Sequence, residues 1–253
     1  SSRFMLNMKI INLDSKYVPT QAQLTFAENV IEFGEHEPMR SEDSLAVLAN
    51  EIPIFLVSTN GMERFEGSDL WGFYCHKFPV GTSRIPAIGL CLERMIESCK
   101  NEEELTILFA KVLIHELAHA KMTTHPRAQY GPPDEFYEWM EEPMANLIVL
   151  EAFRDFERGY RRSYWRRHEV SPFSMLNSLM SQVRRFIEMQ PDNYRLGLDF
   201  FDSRLRYWWI WRNNKDDIRS KSAEKQAWLD YVQANVGRAS EDELDRLFEA
   251  LHR

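Results

Sequence analysis

Residues 111–125 read KVLIHELAHAKMTTH, and the choice of fold turns on them. Just upstream, Asn101 followed by Glu102, Glu103 and Glu104 is a helix start: Asn caps, and Glu104 stands three residues on, as in a capping box. The acids also suit the positive end of the helix dipole. Leu105, Leu108, Phe109, Val112 and Leu113 then recur at i, i+3, i+4, i+7 and i+8, so the spacing predicts a helix over 101–123 with this stripe buried. At about 100° per residue, Glu116 falls almost in line with Leu105, His119 beside it and His115 at the edge. Two histidines and a carboxylate thus continue an apolar stripe. A helix that merely happens to carry histidines leaves the burial of an unpaired carboxylate unexplained, because that burial is costly.

A metal and a water resolve the conflict. Histidines at i and i+4 project from one side of a helix and can share one Zn2+. The carboxylate next to the first histidine reaches the water, takes its proton as general base and passes it to a leaving amine. His115 and His119 are therefore candidate zinc ligands, and Glu116 is the candidate catalytic base.

VLIHELAHA resembles the active-site helix of the zincin metallopeptidases. The resemblance implies an α+β, zincin-like domain in which a small mixed sheet lies over that helix and its edge strand pairs with extended substrate. IPAIGLCL (residues 85–92) is the edge-strand candidate. Two residues compete as third ligand. His125 stands where the metzincin pattern places its third histidine, but the glycine that lets the chain turn there is Met122. Downstream, EPMAN (residues 142–146) resembles the E-x-x-A-N of gluzincins, the ImmA/IrrE-like metallopeptidases among them. That likeness makes Glu142 the ligand and puts Asn146, one turn on, where it can hydrogen-bond a ligating histidine. Periodicity alone leaves Glu141 and Glu138 open as well. The likeness covers roughly residues 50–157, and its motifs occupy only a small part of them.

Zinc peptidases also need a hydrogen-bond donor for the oxyanion. The candidates are His125, Tyr130, Tyr137, His168 and Tyr194. Tyr194 is preferred because QPDNYRLG (residues 190–197) is a turn followed by a helix start. For each of them a purely structural role is the plainer reading.

The rest of the chain sets the frame. Its 253 residues are 44% hydrophobic and 28% charged, an ordinary globular balance. No run approaches the roughly 18 apolar residues of a membrane span, and SSRFMLNMKI at the start lacks the apolar core of a signal peptide. Cys75, Cys91 and Cys99 are sparse and odd in number, as expected of reduced thiols in a cytoplasmic protein.

KIINL, IFLV ahead of the turn dipeptide Asn60-Gly61, DLWGFYCHKF and IPAIGLCLERM read as strands, with a helix from Thr20. Helices are expected near 101–123, 134–157, 171–189, 192–212, 222–236 and 240–252. Strands first and helices later give an α+β order. The expected division is a zincin-like domain over 1–160 and a helical extension over 161–253. RDFERGYRRSYWRRHE (residues 154–169) interleaves arginines with aromatics, as nucleic-acid binders do, but it also carries acids. The net charge of −8 weighs against a nucleic-acid partner and leaves a protein or peptide partner. YWWIWRNN (residues 207–214) reads as packing between helices.

Together these readings lead to a zinc metallopeptidase of gluzincin type acting on a specific intracellular protein. The alternative is a zincin-fold binding module with a structural metal or none, although such a module has no use for Glu116.

Overall fold

Asn101 caps the helix as expected, while the returning bond from Glu104 falls one residue upstream of the cap. Glu104 N donates to Asn101 Oδ1 at 2.9 Å, and the Glu104 carboxylate reaches back to accept from Lys100 N at 2.8 Å. The helix it opens runs unbroken from Glu102 to Thr124. The computed structural model describes residues 6–33, 44–63, 71–124, 135–167 and 178–203. Among them the strands are β1 (Ile10–Asn12), β2 (Ile54–Leu56), β3 (Gly72–Val80) and β4 (Ser83–Leu90). The helices are α1 (Gln21–Phe33), α2 (Leu45–Glu51), α3 (Thr59–Glu63), α4 (Leu92–Glu97), α5 (Glu102–Thr124), α6 (Glu135–Arg167), α7 (Leu179–Glu188) and α8 (Asp192–Ser203).

The class is α+β with a small mixed sheet, ordered β1-β2-β4-β3. β1, β2 and β4 are parallel neighbours, and β3 runs antiparallel to β4. The hairpin between β3 and β4 closes over two residues, with Gly81 at φ 60 as the tight primed turns require. Opposite Pro86 the register slips by one residue between Cys75 and Phe78. This bulge falls where proline offers no amide to the ladder.

Three local expectations are corrected. β4 lies inside the sheet, between β2 and β3, so residues 85–92 are not an edge; β3 is. The strand expected to run through Leu92 ends at Leu90, and α4 begins two residues later. Asn60-Gly61 is not a turn between strands but part of α3. Ser58 opens that short helix, its Oγ accepting from Gly61 N at 3.0 Å while Asp14 takes the Ser58 amide at 2.7 Å.

The described chain falls into two units, and the division passes through α6 between Leu147 and Ile148. The first holds the chain up to Thr124 together with Ile148–Phe186. There α5 packs against β3, β4, α1, α2 and α4. It is buried all round rather than along one stripe: Ile107, Ala110, Ile114, Leu117 and Ala118 are as inaccessible as Leu108 and Phe109. Phe26 of α1 packs edge-on against Phe156, ring centres 5.6 Å apart, and against Phe153. Phe55, Met62, Phe73 and Phe78 form a further apolar cluster with Val57 and Cys91.

The second unit holds α6 up to Leu147 and the chain from Ile187, with α8. Pro143 lies inside α6, which continues through it to Arg167, beyond the expected end at 157. The helices expected over 222–236 and 240–252, and YWWIWRNN, lie outside the described residues. α7 and α8 fall within the helices expected over 171–189 and 192–212.

Candidate metal centre

α5 sets the pair. A four-residue step on a helix brings two side chains to one side, one above the other. His115 Nε2 and His119 Nε2 face each other at 3.2 Å, their rings inclined by 73°. Both rings are buried, at 3% and 9% exposure, and Glu116 between them is also buried. Glu142 is half-buried, and one of its carboxylate oxygens lies with one nitrogen of each histidine, all within 4.8 Å of one another. Among the described residues this is the group of His, Cys, Asp and Glu side chains whose donor atoms lie close enough together that they could hold a metal ion. Two imidazole nitrogens and a carboxylate oxygen are a donor set that suits Zn2+.

Asn146 is fully buried one turn beyond Glu142. Its Nδ2 donates to Gln190 Oε1 at 3.0 Å and to the Tyr194 backbone carbonyl at 3.1 Å. A backbone carbonyl only accepts, so this contact decides which way the Asn146 amide faces. Tyr194 is buried and meets Asn146 through its main chain. Glu141, beside Glu142, is half-buried. His125, Tyr130 and His168 lie outside the described residues, as do the side chains of Tyr137 and Glu138 on α6. In the arginine-aromatic segment, Arg154 pairs with Asp155 at 3.2 Å and Tyr160 packs on Phe156, so this part of it is engaged within its own helix.

One turn before His115, Lys111 is buried on α5 with its ammonium 5.6 Å from the Trp71 ring centre. The indole nitrogen of Trp71 donates to Ser98 at 3.0 Å. Burial, and secondarily the charge of Glu104, pushes the Cys99 thiol up to about 11. Burial likewise raises the Cys91 thiol, so neither is disposed to ionise as a metal-binding thiolate would.

Gln190 and Gly197 were not legible as part of this region. Gly197 carried the one available signal, a glycine inside a helical pattern, which usually has a packing reason. Comparison with family models, with curated proteins and with solved structures returns no match.

Proposed function

We propose that the protein is a zinc-dependent peptidase with its catalytic apparatus on α5. The observation that carries the reading is the His115–His119 pair, two buried imidazole nitrogens turned toward each other across 3.2 Å with Glu116 beside them. Two imidazole nitrogens brought to one point are a metal's donor set. His115, His119 and Glu142 would hold the ion. Zinc, when bound, polarises a carbonyl and makes water acidic enough to react near neutral pH.

The chain's own residues do the rest. Glu116 takes a proton from the attacking water and returns it to the amine that leaves, an exchange that needs one carboxylate on a rigid element. α5 is rigid because it is buried on every side. Tyr194 is the donor we assign to the oxyanion. β3 is one of the two sheet edges and takes substrate as an added antiparallel strand, through main-chain hydrogen bonds along Gly72–Cys75, ahead of the bulge. A peptide held this way is a segment of a protein that presents an extended, accessible chain.

The test is Glu116→Gln, assayed on a fluorogenic peptide library with zinc content measured alongside. The substitution keeps shape and burial but removes the base. Zinc should stay near one per chain, and cleavage should fall by about 10²–10⁴-fold, the usual contribution of a general base. Undiminished cleavage would exclude this mechanism. Zinc binding without cleavage in the unaltered protein would leave the binding module.

A further inference from the structure

Resting on the metal-site reading, we infer that Gly197 and Gln190 are positioning residues for Glu142, and that they set metal affinity without touching the metal. The argument begins with Pro143. It has no amide hydrogen, so the rung that would join it to the carbonyl four residues back is missing, and that rung spans Glu142. The turn of α6 that carries the third ligand is therefore the turn least held by the helix itself.

It is held instead from α8 and from the corner just ahead of that helix. A β-carbon at Gly197 would stand 2.7 Å from the Pro143 carbonyl oxygen, 2.9 Å from Asn146 Cβ and 3.2 Å from Leu147 N. The first and third of these atoms are the two ends of the helical rung that starts from the Pro143 carbonyl, four residues apart. α8 thus crosses directly over the rung that continues from Pro143, and only the absence of a side chain lets it approach so near. Backbone atoms cannot swing aside, so a methyl group there must displace α6 itself. The second support is the Asn146 amide, whose two donor bonds run to Gln190 and to the Tyr194 carbonyl. Gln190 is itself fixed: its amide donates to Ile187 O at 3.0 Å, and its carbonyl accepts from Arg195 Nε at 3.3 Å. The approach of Gly197 and both Asn146 bonds fall on residues 143–147, on the turn that follows Glu142. A helix held here and lacking the rung that spans Glu142 has one defined place for its carboxylate.

The experiment uses the full chain and zinc alone, with affinity read by competition against a chelating chromophore. Wild type, Gly197→Ala, Glu142→Ala and the double variant form a cycle. Gly197→Ala should weaken zinc about ten- to a hundredfold, as loss of a ligand's outer support does. It should cost nothing further once Glu142 is alanine. Cobalt in place of zinc should show the same change of visible absorption in Gly197→Ala as in Glu142→Ala, which general loosening of the fold would not produce. Gln190→Met takes the place of Gly197→Ala in the same cycle if the latter loses its cooperative melt. Equal losses with and without Glu142, or no loss at all, overturn the inference while the metal site stands. If wild type binds no zinc, or binds it equally well after His115→Ala, the metal-site reading falls and takes this inference with it.

Discussion

Gly89→Ala is the sharpest test of how the sheet edge is built. Gly89 pairs with Phe73 across β4 and β3, and a β-carbon on it would lie 2.2 Å and 2.3 Å from two atoms of the Phe73 ring. The ring lies over the glycine and must leave if a methyl group arrives. Phe73 is buried, its ring stacks on Phe78 with centres 6.2 Å apart, and Phe78 stacks on Phe55 at 5.0 Å. Exposing a phenylalanine forfeits about 1.5–3 kcal/mol. If the ring is squeezed rather than expelled, overpacking costs about 1–3 kcal/mol. Against either, alanine restricts the unfolded chain and returns about 0.4–1 kcal/mol. A net loss of up to about 2.5 kcal/mol follows, seen as a lower urea midpoint at unchanged slope. Phe73→Ala alone should cost about 3–5 kcal/mol, and adding Gly89→Ala to it should cost nothing, since the clash is gone. A full Gly89→Ala penalty in the Phe73→Ala background, or none in wild type, would refute this account of the pair. On the proposed function, KM for peptide should rise in Gly89→Ala more than kcat falls, because β3 moves while α5 does not.

Three further outcomes are expected. Removing zinc with a chelator should lower the melting temperature reversibly. At free zinc a thousand times the dissociation constant the linkage is about 4 kcal/mol, and His119→Ala should abolish the difference. Tyr194→Phe should leave zinc content unchanged and lower kcat about 10²-fold or more, the usual effect of losing an oxyanion donor; an unchanged kcat would return Tyr194 to a structural role. The Lys100 amide, and then Arg185, hold the Glu104 carboxylate below the usual carboxylate range. Its contribution to stability is present above the unfolded value and is lost as pH falls through the folded one. Urea titrations from neutral pH downward should therefore show wild type losing more stability in acid than Glu104→Gln, and parallel curves would show that this bond is worth nothing.

What the sequence determined by itself was local. The Asn101 cap, the run of α5 and the pairing of His115 with His119 all follow from helix geometry over a few residues, and that geometry does not depend on the rest of the chain. α1 and β1 were legible for the same reason, each from its own pattern. The α+β class followed from the order of such patterns.

Tertiary structure decided whatever depended on residues far apart. Strand order made β3 the edge instead of β4, because pairing is a choice among partners and periodicity records only faces. Asn60-Gly61 became helix because Asp14, more than forty residues away, captures Ser58. α6 runs on past its expected end at 157 to Arg167. Glu142 was nominated by its likeness to a motif, and only folding brought its carboxylate to the two histidines. Gln190 and Gly197 carry almost no local signal, because their role lies in the closeness of α8 to one rung of α6. A helix dictates its own neighbours at four residues, but it cannot specify what will cross it.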